Sequence, residues 1–121
     1  MPYLFGCDLY NHGYWWEAHE AWESLWLSCT HPVQRGYLQG LIQVANAHLK
    51  LEMGRHKAVR RLTEEYLGHL RPVAALGGTC MGNDVGRWLP RVQAYHGCVL
   101  RQGNPVHDPR QYPYLQLASD A

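Results

Sequence analysis

The residues in this sequence best placed to do chemistry are His19 and Glu23, four apart in the segment Tyr14-Trp15-Trp16-Glu17-Ala18-His19-Glu20-Ala21-Trp22-Glu23-Ser24-Leu25-Trp26. Side chains at i and i+4 are neighbours on a helix surface. An imidazole and a carboxylate so related can satisfy one another by hydrogen bonding, or hold one ion between them. On a wheel centred on His19, Trp26 lies at about −20°, Trp15 at −40°, Glu23 at +40°, Trp22 at −60° and Trp16 at +60°. Ser24 and Glu17 fall on the far side, and Glu20 near +100° at the boundary. The face expected to enter the core is therefore aromatic, with an acid–imidazole pair at its centre. An ionised carboxylate in an apolar setting needs a charge partner, hydrogen bonds, a metal or a raised pKa.

A facing surface is available on the next helical segment. Gln39, Gln43, Asn46 and Lys50 recur at i, i+4, i+7 and i+11 as a polar stripe, with Gly40 and Ala47 forming a small-residue seam beside it. Such a stripe either faces solvent or brings Gln39 and Gln43 to the His19/Glu23 pair, with Trp26 and Glu20 as further supporting residues. A mononuclear metal site needs a third protein ligand. His12, His48, His69 and His96 are candidates, none with diagnostic spacing. The di-iron pattern of Glu and His three apart, repeated on a second helix, is absent. The opposite reading makes His19, Glu23, the indole N–H groups and Gln39 or Gln43 a closed hydrogen-bonded network that only aligns helices, acceptable in a core when every member is paired.

The elements that must position these residues read as helices throughout, with no confident strand. A first helix is expected over Tyr3 to Asn11, broken by Asn11-His12-Gly13, and a second from about Tyr14 to Ser28. Thr30 is the expected N-cap of a third, with Pro32 in its first turn and Gly54 terminating it after Met53. A fourth covers about Arg55 to Leu76, with Ala58, Leu62, Tyr66, Leu67 and Leu70 at helical spacing and Pro72 kinking it or ending it early. Gly77, Gly78 and Gly82 mark a flexible connection. Asn83 or Asp84 then caps a fifth helix to about Cys98, with Val85, Trp88, Leu89, Val92 and Tyr95 inward. From about Arg101 an extended tail with Pro105, Pro109 and Pro113 is expected either to pack through Tyr112, Tyr114, Leu115 and Leu117 or to be partly mobile. The reading is an all-α fold, a single compact bundle of about five helices over residues 1–121.

Composition narrows the partners. A net charge of +1 gives no reason to expect nucleic acid or an anionic membrane surface. The basic run Arg55, Lys57, Arg60 and Arg61 is answered by Glu64 and Glu65, as on a solvated helix face. Four scattered cysteines without Cys-x-x-Cys spacing argue against a zinc knuckle. The first residues lack a signal-peptide pattern, and no apolar run reaches bilayer length. A cytoplasmic protein with reduced thiols is expected, with a small ligand or another protein as partner and no expectation for its oligomeric state.

The segment from Tyr10 to Trp26 resembles the signature of domain-of-unknown-function family 309, whose hallmark of His, three residues, Glu, two residues, then Trp or Tyr is met by His19, Glu23 and Trp26. A second block, Tyr37 to Ala47, resembles the family's other strong segment. Gly54 with Ala58, and Gly82-Asn83-Asp84, extend the similarity over nearly the whole chain. The resemblance implies a compact helical bundle of bacterial and archaeal proteins with no assigned activity, and a metal held by His19 and Glu23. His19-Glu20-x-x-Glu23 also resembles the zinc-protease His-Glu-x-x-His helix, with Glu20 in the general-base slot. The expected function is a His/Glu-centred polar pocket for a divalent metal or small polar ligand. The alternative is a structural or interaction module.

Overall fold

The computed structural model describes residues 2–102 and 113–117. Five helices follow one another: α1 Pro2–Asn11, α2 Trp15–Ser28, α3 Pro32–Glu52, α4 His56–Ala75 and α5 Val85–Gln102. They form an all-helical bundle, and Cys80–Asn83 is an isolated antiparallel bridge between α4 and α5. No helix among the described residues is long and apolar enough to cross a membrane.

Helix ends follow local chemistry. The N-cap of α3 is His31 rather than the expected Thr30: its Nδ1 accepts from the Gln34 amide at 3.3 Å, with Pro32 in the first turn. At the other end Gly54, at φ +70°, turns the chain so that the Arg55 N–H bonds the Lys50 carbonyl and the Gly54 N–H bonds that of Leu51. This is the Schellman closure, and the left-handed residue is the one without a Cβ. Asp84 caps α5, its Oδ1 accepting from the Arg87 amide at 3.3 Å. The connection before it is closed by paired Cys80 and Asn83 backbone bonds of 2.9 Å. Met81 and Gly82 between them both have positive φ, as a type I′ turn requires.

Neither internal proline ends its helix. α4 runs through Pro72 to Ala75 and α5 through Pro90 to Gln102, beyond the expected end at Cys98 and into the expected tail. In both, the residue four earlier, whose carbonyl the ring crowds, is a glycine, Gly68 or Gly86. Glycine gives that carbonyl freedom to tilt away.

The helix α3 is the central element, packed on one side by α2 and on the other by α4, with α1 on α2 and α5 on α4. Two glycines set the approach distances. A Cβ at Gly6 would overlap the Trp22 indole, and one at Gly40 would overlap the Leu70 side chain. The seam read at Gly40 thus serves the contact with α4. Residues 113–117 lie against the bundle, with Leu115 buried and its backbone clamped by Asn11, which accepts from its N–H at 2.8 Å and donates to its carbonyl at 2.9 Å. Tyr114 and Leu117 are half-buried, while Tyr112, Pro105 and Pro109 lie outside the described residues.

Candidate functional site

The buried face of α2 is carried by Trp15, Ala18 and Trp22. It centres near −70° on the wheel, so His19 and Glu23 sit at its edge rather than its middle. The expectation overweighted Trp16, which is 51% exposed, and underweighted Ala18, which is fully buried. His19 is 14% exposed at its side chain and Glu23 48%.

The imidazole is fully engaged. Its Nε2 pairs with Glu23 Oε2 at 2.7 Å, and its Nδ1 with Asn46 Oδ1 of α3 at 2.6 Å. Trp16 stacks on the ring, centroids 5.0 Å apart. Asn46 Nδ2 in turn donates to Gln43 Oε1 at 3.4 Å. Of the predicted supporting residues, Gln43 therefore joins the pair through Asn46, and Gln39 makes no hydrogen bond to His19. Trp26 turns instead to Arg35. The guanidinium lies 4.3 Å from the ring centroid and donates to the Trp26 and Cys29 carbonyls at 2.7 and 3.1 Å. A cation there adds a donor to carbonyls at the C-terminal end of α2, where the Trp26 oxygen also accepts the Cys29 N–H at 3.1 Å. Glu20 is exposed and lines a groove between α1 and α2.

These positions correct the expectation of a metal or polar-ligand pocket at His19 and Glu23. Among the described residues no group of three His, Cys, Asp or Glu side chains is placed to hold a metal ion. Both His19 nitrogens are spent on Asn46 and Glu23. Of the candidate third ligands, His12 bonds the Asp8 carbonyl at 2.8 Å. His48 and His96 belong to a different network, on the far side of α3 from Asn46.

That network is the most deeply buried polar feature of the described residues. Tyr66 Oη lies 2.8 Å from His96 Nδ1, and His96 Nε2 3.2 Å from His48 Nδ1. His48 Nε2 lies 2.9 Å from Tyr10 Oη, which donates to the Pro113 carbonyl at 2.9 Å. Because the Tyr10 proton goes to Pro113, its oxygen accepts from His48 Nε2–H. One order then uses each proton once: Tyr66 O–H to His96, His96 Nε2–H to His48, His48 to Tyr10, Tyr10 to Pro113. Both imidazoles are neutral in that order. Burial agrees, holding His96 down at about 3 and pushing the Tyr66 phenol up to about 12. Trp15 stacks on His48 at 4.5 Å, and Trp88 Nε1 gives the Pro113 carbonyl a second donor at 3.2 Å.

Sequence reasoning entered His48 and His96 only as spare metal ligands. The available signal was their register: His48 follows Leu41 and Ala45 on the apolar side of α3, and His96 follows Val92 on α5. Imidazoles on apolar stripes of separate helices, with tyrosines on two others, are placed to bond one another.

No curated protein and no solved structure matches the chain. The match to a family is narrower than the resemblance suggested, covering α1, α2, α3 and the first turns of α4. Over residues 3–62, which hold His19, Glu23 and Asn46, the chain belongs to the family described as Domain of unknown function (DUF309).

Proposed function

We propose that this chain is a non-catalytic interaction module whose interior polar residues serve helix alignment. The observation that carries the reading is the His48–His96 chain. It runs from a tyrosine of α4 to a backbone carbonyl outside the helices, with each imidazole nitrogen answered by a partner. A fully paired buried network favours one packing over its neighbours, whereas a catalytic group has to present an atom to a substrate. At the rim, His19, Glu23, Asn46 and Gln43 act as a clamp between α2 and α3. Four free cysteines suit a reducing compartment, and we place the protein in the cytoplasm.

The test is a thermal-shift series on the wild type with Zn²⁺, Mn²⁺, Mg²⁺ and a panel of polar metabolites, alongside His19→Ala, Glu23→Gln and Asn46→Ala. The variants should melt lower, with Glu23→Gln costing least, about 0.5 kcal/mol, because its ion pair is half in water. No additive should raise the wild-type midpoint. An additive that stabilises the wild type by several degrees and leaves His19→Ala unmoved overturns the reading.

A further inference from the structure

The charge of this chain is divided along its length. The first 34 residues carry Asp8, Glu17, Glu20 and Glu23 and no Lys or Arg, while the remainder holds all 11 basic residues. In the fold, two of those carboxylates rim an apolar groove. Phe5 and Leu9 of α1 face Ala21 of α2, with Glu17, Glu20 and Ser24 along the α2 side, around an open volume of about 660 Å³. Phe5 is 59% exposed, and Leu4 beside it is half exposed. Neither Glu17 nor Glu20 has an ion-pair partner among the described residues. Gly6 seats α1 directly on the Trp22 indole, which holds the groove's α1 wall in place.

We propose that this groove docks an amphipathic helix of a protein partner, apolar on the inserted face and rich in Lys or Arg along its flank. The inference rests on the reading of the chain as an interaction module and names its partner class. An apolar floor with an aromatic wall suits helix-in-groove recognition through anchors at i, i+3 or i+4 and i+7. An uncompensated acidic rim selects a basic flank. The length of α1, ten residues or about 15 Å, matches two to three turns of partner helix. A second copy of this chain fits less well. Its basic helix α4 buries the apolar stripe of Leu62, Tyr66 and Leu70 in its own core, so it offers charge without anchors.

The probe is a fluorescein-labelled 14-residue peptide with Leu at the anchor positions and Lys on the flanks, measured by anisotropy with the intact protein. Its counterparts are a Lys→Glu version and a version with the Leu spacing scrambled. The basic amphipathic peptide should bind at least tenfold more tightly than either. Phe5→Ala, an exposed change that leaves the melt intact, should weaken it at least fivefold. The Glu17→Lys/Glu20→Lys pair should reverse the preference toward the acidic peptide. Amide-shift mapping should place the perturbed residues at 4–9 and 17–24. Equal binding of all three peptides, no binding, or perturbation elsewhere overturns the proposal. So does sedimentation showing a wild-type dimer that Phe5→Ala dissolves. Each of those results is separate from a ligand-induced thermal shift, which is what removes the underlying reading.

Discussion

His96 makes the folded state sensitive to acid. Its pKa is about 3 inside the bundle against 6.5 in water, because burial disfavours the imidazolium. Between those values the unfolded chain binds a proton that the native state refuses, so stability is full above about pH 6.5 and falls as pH drops toward 3. One such group loses about tenfold in the folding constant per pH unit, or roughly 2 kcal/mol between pH 6.5 and 5. Urea midpoints at pH 7.5 and 5 should show that loss. His96→Phe should be less stable at pH 7.5, since it strands the Tyr66 hydroxyl and His48 Nδ1, yet show a shallower decline in acid. A wild-type midpoint unchanged between the two pH values would contradict a neutral His96. At this scale the sequence exposed the His19–Glu23 contact, because i,i+4 geometry is local. It concealed Asn46, His48 and His96 as partners, because which polar residue meets which across helices depends on how the helices rotate.

Helices, in contrast, announce themselves by their ends. Pro32, Gly54 and Asp84 are local stop and start signals, and the boundaries they set agree with the structure to within a residue or two. What escaped was rotation and persistence. α2 is turned by some 70° from the expected orientation, with Ala18 fully buried beside Trp15 and Trp22 and Trp16 half exposed. α4 and α5 continue through prolines that a simple breaker rule would stop at. The same reasoning predicts opposite outcomes for glycine substitutions of identical chemistry. At Gly36, in α3, an added Cβ meets nothing within 4 Å, so Gly36→Ala should raise stability by about 0.5–1 kcal/mol through helix propensity. Gly40→Ala gains the same propensity but collides with Leu70, and Gly6→Ala collides with the Trp22 indole. Overpacking costs about 1–3 kcal/mol, so both should be net destabilising. Chemical denaturation of the three variants would rank them, and a stabilised Gly40→Ala would mean that α3 and α4 are not in close contact there.

For the whole molecule, the instructive mismatch is between the family segment and the core. The matched residues 3–62 stop inside α4, just before Tyr66, Leu70 and Val73 enter the interior. α5, which supplies Trp88, Val92 and His96, lies wholly outside that segment, as does the Pro113 carbonyl. A chain cut after Leu62 would leave Tyr10 and His48 without those partners and the Gly40 face of α3 open to water. Unsatisfied buried polar groups cost about 1–3 kcal/mol each, and a domain's total margin is only about 5–15 kcal/mol. Residues 1–62 alone should therefore show helical far-UV circular dichroism without a cooperative melt or a fixed near-UV signal from their four tryptophans, Trp15, Trp16, Trp22 and Trp26. A chain ending at Gln102 is the milder case. It keeps all five helices but loses Leu115 and the acceptor shared by Tyr10 and Trp88, so it should melt cooperatively at a lower temperature. A sharp melt from residues 1–62 would instead make the family segment a domain in its own right and α5 an addition to it. The expected loss of a cooperative melt follows from the polar chain itself, which takes Tyr10 and His48 from inside the segment and Tyr66, His96 and Pro113 from outside it, so that neither part completes its hydrogen bonds alone.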